Sequence, residues 1–295
     1  MLEKIAQTRH LSRAIGAVNR LVSERGESNA VSMAADVIFN YRKLNAEQRS
    51  KFFMALAEQF NINVEALTKA TQSFSADPSA RNYIRLQKIS ESPRQELLRR
   101  LNRAPGGTAA VVEMRRDLLS LLHKKPELAG LDYDMRHLLS SWFNPGFLKM
   151  HRVDWKSPAE VLEKIIAHEA VHAIDGWDDL RRRLQPDRRC FAFFHPQLPD
   201  EPLIFVEVAL LPEIPVAIMP LVDKKSAPVE QTNQYKVAAF YSISNCESGL
   251  RGVSMGNFLI KRVAEQLHAE FPGLKTFVTL SPIPGLMDWI TAGAH

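Results

Sequence analysis

The sequence has few cysteines and no long apolar run, and these absences exclude whole classes of protein. Only Cys190 and Cys246 occur among the 295 residues, too few for the disulfide framework of a small secreted domain, so a reducing compartment is expected. No apolar stretch approaches the roughly 20 residues that a membrane-spanning helix needs, which predicts no membrane span. The N-terminus also has no apolar core followed by a small-residue cleavage site, so a secretory signal is not indicated.

The basic N-terminal segment leaves one alternative open. Residues 1–24 are mildly amphipathic and carry Arg9, Arg13 and Arg20, as organelle presequences do. Glu3 and Glu24 weigh against a presequence, because transit peptides are poor in acidic residues. We therefore expect a cytoplasmic protein of bacterial type, with a mitochondrial protein as the alternative.

The composition is that of a folded protein of about two domains. Hydrophobic residues make up 45% and charged residues 24% of the chain, as in ordinary globular proteins. The formal net charge of +5 favours an anionic partner without choosing among a nucleotide, a nucleic acid and a membrane surface. Five arginines bunch between residues 181 and 189, and this pattern predicts the solvated end of a helix.

Helical periodicity extends from the start of the chain to about residue 184. Apolar residues recur three and four apart over residues 30–41, 46–60 and 97–101, and a further helix is predicted near residues 109–123. The sequences Ser-Pro-Arg-Gln at residues 92–95 and Ser-Pro-Ala-Glu at residues 157–160 predict capping boxes with proline in the first helical turn.

After residue 189 the pattern changes to strands. Residues 190–195, 203–211, 236–245 and 275–280 are rich in apolar and β-branched residues and are short enough to be strands. A helix is predicted at residues 255–270, so strand, helix and strand form a parallel α/β unit. Ser281 and Pro282 are predicted to open a last short helix. We expect an α+β protein with a helical domain at residues 1–186 and a second domain at residues 187–295.

The pentapeptide His168-Glu169-Ala170-Val171-His172 matches the H-E-x-x-H pattern of zinc peptidases. On a helix, two histidines four residues apart share one face, and the glutamate can act as a general base. The same histidines also continue an apolar stripe with Val161 and Ile165, and histidines on a packed face are more often structural than metal ligands.

A zinc site lacks a third ligand at a familiar spacing. Neither the glycine nor the histidine of the longer metzincin pattern follows His172. Asp175 or Asp178 could complete a site only if the helix turned there. We therefore expect no metal, and zinc peptidase activity is the less favoured alternative.

The segment from Gly249 to Ile260 joins a predicted strand to a predicted helix. Small residues at Gly252, Ser254 and Gly256 allow the backbone to approach a ligand closely. Backbone N–H groups at the start of the helix can then bind an anion such as a pyrophosphate. A plain tight turn is the alternative interpretation.

This segment resembles the pyrophosphate-binding signature of GNAT-type acyltransferases, in which arginine or glutamine is followed by a glycine-rich turn. Arg251, Ser254 and Gly256 occupy the signature positions, with Ser254 in place of the middle glycine. Longer motifs along nearly the whole chain resemble the malonyl-CoA decarboxylase family. They lie at residues 92–101, 105–110, 141–144, 146–148, 169–172, 187–191, 195–196, 240–244, 256–262 and 280–285.

The family resemblance implies both a fold and an activity. The fold is a helical domain that mediates homo-oligomerisation, followed by a GNAT-like acyl-CoA-binding domain. The activity is decarboxylation of malonyl-CoA to acetyl-CoA and CO2 in fatty acid metabolism, without metal or other cofactor and without a nucleic acid partner. The resemblance assigns coenzyme A binding to Arg251, Gly252, Val253, Ser254, Met255, Gly256 and Asn257.

The resemblance also assigns a catalytic role to Ser281, in the Ser-Pro-Ile-Pro-Gly sequence, although a serine before a proline is also an ordinary helix cap. In the family this serine is paired with a histidine in a later His-x-x-Asn-Gly-Ala segment. No such segment occurs in this sequence, and His295 has neither its spacing nor its context. We therefore expect a partial GNAT-like domain, as in a partial sequence, a fragment completed by another chain or a non-catalytic relative.

Two further functions remain as alternatives. A GNAT-type N-acyltransferase would use the same coenzyme A site. A non-catalytic coenzyme A-binding or oligomerisation protein would keep the helical domain and a vestigial second domain. Turnover assays separate all three.

Overall fold

The computed structural model describes residues 2–23, 29–226, 228, 232–283 and 285–293, with the backbone alone for residues 2–8, 256 and 257. The chain forms two compact units. Unit 1 comprises Met1–Trp142 and Gly249–Val253, and unit 2 comprises Phe143–Ser248 and Ser254–His295.

Unit 1 is helical, as the periodicity predicts. Its helices are α1 (Leu2–Ser23), α2 (Ala30–Arg42), α3 (Ala46–Gln59), α4 (Val64–Ala76), α5 (Ala80–Ser90), α6 (Pro93–Asn102), α7 (Gly107–Leu119) and α8 (Ala129–Trp142). Tyr41, Phe52 and Phe53 are buried together, with ring centroids 5.4 to 5.9 Å apart. The Tyr41 hydroxyl donates to Asp117 Oδ2 at 2.6 Å, so the buried phenol keeps a hydrogen-bond partner.

Helix α6 begins at Pro93, as predicted, but the predicted capping box does not form. The Ser92 hydroxyl donates to Asp134 Oδ2 at 2.8 Å, and Gln95 Nε2 donates to Asp134 Oδ1 at 2.9 Å. Arg94 pairs with the same buried carboxylate at 2.8 Å. A buried charge from α8 therefore takes the polar groups that would otherwise cap the helix, because an unpaired buried carboxylate is very unfavourable.

Unit 2 is a mixed five-stranded sheet with helices, which confirms the α+β fold class. Its elements are β1 (Lys149–Val153), α9 (Ala159–His168), α10 (Gly176–Arg183), β2 (Arg188–His195), β3 (Leu198–Leu211), α11 (Met219–Val222), β4 (Val237–Asn245), α12 (Gly256–Glu270), β5 (Thr276–Thr279) and α13 (Leu286–Thr291). The strand order is β1-β2-β3-β4-β5. All pairs are antiparallel except β4 and β5, which are parallel and joined through α12, as predicted.

Strand β1 was not expected from the sequence, and it moves the division between the units. Its five residues pair with β2 from Lys149 to Val153, and Val153 joins the core formed with α9 and α10. The division therefore falls after Trp142, whereas the sequence placed the boundary between residues 186 and 187. The edge strand is short and largely exposed, so its sequence has too few apolar residues to show a strand pattern.

The sheet carries a core on each face. Cys190 and Ala192 of β2 pack with Leu162 and Ile165 of α9 on one face. Phe193, whose side chain points the other way, lies 5.9 Å from the Arg262 guanidinium of α12. Strands buried on both faces read as continuous apolar runs, which explains why β2 and β3 were recognisable from the sequence.

The arginine cluster is not the solvated helix end that the sequence predicts. Arg181 is exposed, but Arg182, Arg183, Arg188 and Arg189 are each at least nine-tenths buried. Arg182 pairs with Asp187 at 2.8 Å, and Arg189 pairs with Glu270 at 2.6 Å. Asp187 lies within the cluster, but Glu207 and Glu270 come from distant parts of unit 2, so sequence proximity reveals only part of the pairing.

None of the helices in the described part of the chain is both long and apolar enough to cross a membrane.

Candidate active site

The sheet of unit 2 opens between β4 and β5. Strand β5 pairs with β4 only as far as Thr279, opposite Phe240, and the Leu280 N–H donates to the Phe240 carbonyl at 2.8 Å. At the same level the β3–β4 register shifts, which leaves Tyr241 as a bulge between Phe240 and Ser242. A bulge bends its strand, and bulges are common beside active sites. The chain after β5 leaves the sheet here, at Ser281.

Ser281 lines two cavities within the described part of unit 2. The larger has a volume of about 500 Å³ and is lined by His172, Val216, Ala217, Ile218, Thr279, Leu280, Ser281 and Pro282. The smaller, of about 180 Å³, is lined by Val171, Phe240, Tyr241, Ser242, Ile243, Leu280, Ser281 and Pro282. Mostly apolar walls with a few polar groups are typical of ligand sites.

Ser281 is exposed and does not cap a helix. Helix α13 begins at Leu286 and is preceded by Gly285 with φ of +76°, so the prediction that Ser281 opens the last helix is wrong. Pro284 lies outside the described residues. The hydroxyl of Ser281 is therefore not committed to a helix end, which leaves it available for chemistry.

The His168–His172 pentapeptide does not form the helical metal site that its pattern suggests. Helix α9 ends at His168, and Glu169 has the extended ψ of 110°. The two histidines therefore do not share one helix face, and the predicted stripe from Val161 to His172 breaks. Among the described residues, no three His, Cys, Asp or Glu side chains are grouped as metal ligands.

Glu169 explains why the helix ends. Its Oε1 accepts the N–H groups of Val171 and His172 at 2.8 Å each. The hydroxyls of Ser242 and Ser244 donate to its Oε2 at 2.6 and 3.1 Å. Glu169 thus ties the turn before His172 to strand β4, where charge-assisted hydrogen bonds are strong.

His172 is held at the wall of the larger cavity. Its carbonyl accepts Arg183 Nη2 at 2.8 Å, and its ring Nε2 is buried with no hydrogen-bond partner among the described residues. Burial lowers the pKa of His172, a neighbouring Glu169 raises it, and Arg183 lowers it further. The imidazole is therefore neutral near pH 7.

A buried ion cluster contacts the chain at His172 through Arg183. Arg183 of α10 donates to Glu207 Oε2 at 2.8 Å and to Asp179 Oδ1 at 3.1 Å. Glu207 is fully buried on β3, and burial raises its pKa to about 7 against the opposing effect of Arg183. The hydroxyl of Tyr241 and Glu207 Oε1 have no hydrogen-bond partner among the described residues.

The glycine-containing segment is divided between the units. In unit 1, Arg251 is exposed, Gly252 has φ of +77°, and the N–H of the buried Val253 donates to Leu250 at 2.9 Å. In unit 2, Ser254 is exposed, and Met255 precedes α12 without a side-chain cap. Gly256 and Asn257 are the first residues of α12, so their N–H groups have no partner within the helix.

Sequence analysis did not identify Gly249 as a constrained position. A Cβ atom on Gly249 would lie 2.3 Å from the carbonyl oxygen of Val112. Buried Arg115 donates to the Gly249 carbonyl at 2.7 Å, and this contact fixes the start of the segment within unit 1. Only the tertiary contact with α7 reveals this requirement for glycine.

Unit 2 thus places Ser281 and His172 in the wall of one cavity, where the pairing of β5 with β4 ends. A family model for the malonyl-CoA decarboxylase C-terminal domain matches residues 146–295, and one for the N-terminal domain matches residues 60–143. The chain belongs to the malonyl-CoA decarboxylase family. The two matches meet close to the division between the units.

Known malonyl-CoA decarboxylases resemble this chain in sequence and in structure. The mitochondrial malonyl-CoA decarboxylases of Anser anser anser and Mus musculus are each 36% identical over 90% of this chain, which covers 56% and 57% of their lengths. Crystal structures of malonyl-CoA decarboxylase from Rhodopseudomonas palustris and Agrobacterium vitis are each 49% identical to it, with TM-scores of 0.86 and 0.87. They match 96% and 93% of this chain and 69% and 67% of their own. The chain spans a little over half the length of the curated relatives it matches.

Proposed function

We propose that this chain acts in the decarboxylation of malonyl-CoA to acetyl-CoA and CO2, as a carboxy-lyase. The observation that carries the proposal is the position of Ser281, which lines the cavity where β4 and β5 separate. Family membership and this placement support the same catalytic residue.

The chemistry needs two groups from the protein. Loss of CO2 leaves a thioester enolate, and a hydroxyl placed at its oxygen stabilises the developing negative charge, where one such donor is worth about 3 kcal/mol. Ser281 is the proposed donor. A general acid must then protonate the carbon, and the family resemblance assigns that role to a histidine outside this sequence.

The thioester carbonyl itself accepts the electrons released with CO2. We therefore propose that no metal or other cofactor takes part. Zinc chemistry at His168 and His172 is not favoured, because α9 ends at His168 and the extended Glu169 separates the two histidines from a common helix face.

We further propose that unit 2 is a GNAT-like domain and that the segment Arg251–Asn257 binds coenzyme A. The parallel β4–β5 pair that separates beyond Phe240 offers backbone groups to the acyl arm. The uncapped first turn of α12 offers N–H groups to the pyrophosphate. A co-crystal with acetyl-CoA tests the proposal, and pyrophosphate density away from this turn would refute it.

The activity is tested by mixing the purified chain with malonyl-CoA and following acetyl-CoA and CO2 together. Any turnover should give the two products in equal amounts, and Ser281→Ala should lose both. Ser140→Ala, which removes an exposed hydroxyl that donates to the Arg136 carbonyl within α8, is the matched control.

A chimera distinguishes a missing proton donor from a wrong reaction. It continues this chain with the C-terminal segment of the Rhodopseudomonas palustris relative. A chimera that binds malonyl-CoA and releases no CO2 would refute the proposed function. Acetylation of an amine from acetyl-CoA would favour the N-acyltransferase alternative, and binding without turnover would favour the non-catalytic one.

We propose that unit 1 mediates homo-oligomerisation. Helix α5 has no buried residue, and Tyr83 and Ile84 are each 52% exposed on it, so this helix presents an apolar surface. Ile84→Asp should lower the molar mass measured by light scattering after size exclusion. An unchanged mass, or a monomeric parent chain, would contradict this assignment.

We also propose a cytoplasmic location. Cys190 and Cys246 are free thiols, and Cys190 is buried, as suits a reducing compartment. Fractionation of the source cells with an antibody against the chain tests this, and recovery from an organelle would contradict it.

A further inference from the structure

The glutamate of the His168–His172 pentapeptide binds residues in the walls of both cavities that Ser281 lines. We infer that Glu169 is a positioning residue, whose carboxylate clamps the turn after α9 to the bulged part of β4 and so fixes the spacing of these walls. The relevance of this clamp to catalysis rests on the proposed function, in which Ser281 acts on the thioester.

On one side, the clamp holds the turn that follows α9. The N–H groups of Val171 and His172 donate to Glu169 Oε1 at 2.8 Å each. Val171 lines the smaller cavity, and His172 lines the larger one. Arg183 Nη2 donates to the His172 carbonyl at 2.8 Å, so the turn is held through both its N–H groups and its carbonyl. Glu169 therefore fixes the main chain of one wall residue in each cavity.

On the other side, the clamp holds strand β4. The Ser242 hydroxyl donates to Glu169 Oε2 at 2.6 Å, and the Ser244 hydroxyl donates to the same oxygen at 3.1 Å. Ser242 lines the smaller cavity and directly follows the bulge of β4. The Ser244 hydroxyl also accepts the N–H of Ala170 at 3.1 Å, which links the same two segments a second time. Because a bulge disrupts the regular pairing of its strand, side-chain contacts matter more for its position.

Glu169 acts through these neighbours and not on a ligand. It is 8% exposed, and it is not among the described residues that line either cavity. Its two oxygens accept two backbone N–H groups and two hydroxyls. A general base must reach the proton that it removes, and this carboxylate is turned towards the protein interior. The pentapeptide glutamate is therefore a positioning group and not the base that the H-E-x-x-H pattern suggests.

Three substitutions of Glu169 separate the geometry of the clamp from its charge. Glu169→Ala removes all of the hydrogen bonds. Glu169→Asp keeps the charge but is one methylene shorter, so it cannot hold the turn and β4 together. In Glu169→Gln the amide oxygen can accept the two N–H groups, and the serine hydroxyls can accept from the amide nitrogen, since a hydroxyl both donates and accepts. A clamp that works by geometry should therefore survive in Glu169→Gln and fail in Glu169→Asp.

The test is NMR of the 15N-labelled full chain without a ligand. In Glu169→Ala and Glu169→Asp, the amides of Val171 and His172 should exchange with solvent on the order of 10- to 100-fold faster, as expected for lost hydrogen bonds to a charged group. The amide signals of Leu280 and Ser281, which line the same cavities, should shift. Glu169→Gln should stay close to the parent chain in both measurements.

Two further variants control the measurement. Asp134→Asn disrupts a buried carboxylate cluster in unit 1 and should leave these amides unchanged. Ser244→Ala removes one donor to Glu169 without altering a lining residue, and it should produce smaller changes at the same amides even if Glu169→Ala does not fold. Unshifted Leu280 and Ser281 signals in the folded variants would overturn the inference. A series in which Glu169→Asp resembles the parent chain and Glu169→Gln resembles Glu169→Ala would also overturn it.

Turnover plays no part in this measurement, so failure of the proposed function and failure of the inference are distinguishable. In a chain or chimera that decarboxylates malonyl-CoA, Glu169→Ala and Glu169→Asp should lower kcat on the order of 10- to 100-fold. KM should change little, because the proposed coenzyme A segment is not part of the clamp. Glu169→Gln should retain most of the parent kcat. Equal kcat in Glu169→Ala and the parent would contradict the positioning role.

Discussion

Replacing Glu207 by glutamine should remove a large part of the pH dependence of folding stability between about pH 4.5 and 7. Glu207 is fully buried on β3, and burial raises its pKa from 4.5 to about 7 although Arg183 pairs with it at 2.8 Å. The folded state therefore binds more protons at this carboxylate than the unfolded state does across that range. By linkage, the contribution of Glu207 to stability is fully present below the unfolded pKa and is lost as pH rises through the folded pKa.

The magnitude follows from the two pKa values. A difference from 4.5 to about 7 corresponds to about 3 kcal/mol between the low and high ends of the range. In Glu207→Gln the side chain cannot titrate, so this contribution is absent. Arg183 keeps Asp179 and the His172 carbonyl as partners in the variant, which should allow it to remain buried.

The assay is urea unfolding of the parent chain and of Glu207→Gln at half-unit steps from pH 4.5 to 8. The difference in unfolding free energy between the two proteins should change by about 3 kcal/mol over this range, in favour of the variant at high pH. Glu213→Gln, at an exposed position, controls for the loss of one carboxylate. A difference that does not depend on pH would refute the reasoning.

Three further substitutions test the packing that supports the fold and the glycine segment. Asp134→Asn leaves the Arg94 guanidinium buried without its carboxylate. Urea unfolding should show that the free energy of unfolding falls by about 3 kcal/mol or more. The control Asp36→Asn, in an exposed pair, should lower it by less than about 1 kcal/mol. Gly249→Ala places a Cβ 2.3 Å from the Val112 carbonyl oxygen, and thermal unfolding should show a loss of stability of about 1–3 kcal/mol. In the control Gly273→Ala the new Cβ would lie 3.5 Å from its nearest atom, so the loss of stability should be much smaller. Gly252→Ala forces a side chain into φ of +77° and should cost about 1 kcal/mol, measured in the same way. The packing described would be contradicted if either of the first two variants were as stable as its control. It would also be contradicted if Gly252→Ala lost no stability.

Local patterns were sufficient where the structure depends on neighbours in sequence. The starts of α2, α3 and α6 follow the apolar periodicity, and α3 forms a capping box between Asn45 and Gln48. Strand β4 was equally readable, because a strand buried on both faces is a continuous apolar run.

Patterns failed where a distant partner decides the local structure. The helix predicted through His172 ends at His168, because Glu169 turns to bind Ser242 and Ser244 on β4. Arg183 and Arg189 are buried, because Glu207 and Glu270 from other elements pair with them. Both outcomes depend on contacts between residues far apart in the chain.

The candidate site divides in the same way. Ser281 and the segment Arg251–Asn257 were predicted from motifs, because hydroxyl and glycine-rich patterns of the kind that stabilise an enolate or bind a pyrophosphate are local in sequence. Both assignments stay predictions. The position of His172 in the cavity wall was not found, because its burial and the cavity it shares with Ser281 exist only after folding.

The sequence by itself determined the helical first part, the mixed α/β second part, the family and the serine of the cavity. The tertiary structure alone decided the division after Trp142, the burial of the arginine cluster and the surroundings of His172. The physical reason is the separation along the chain between the residues that interact. Periodicity and capping are interactions within a few residues of chain, whereas burial, and the pKa values and ion pairs that follow from it, depend on which distant segments come together.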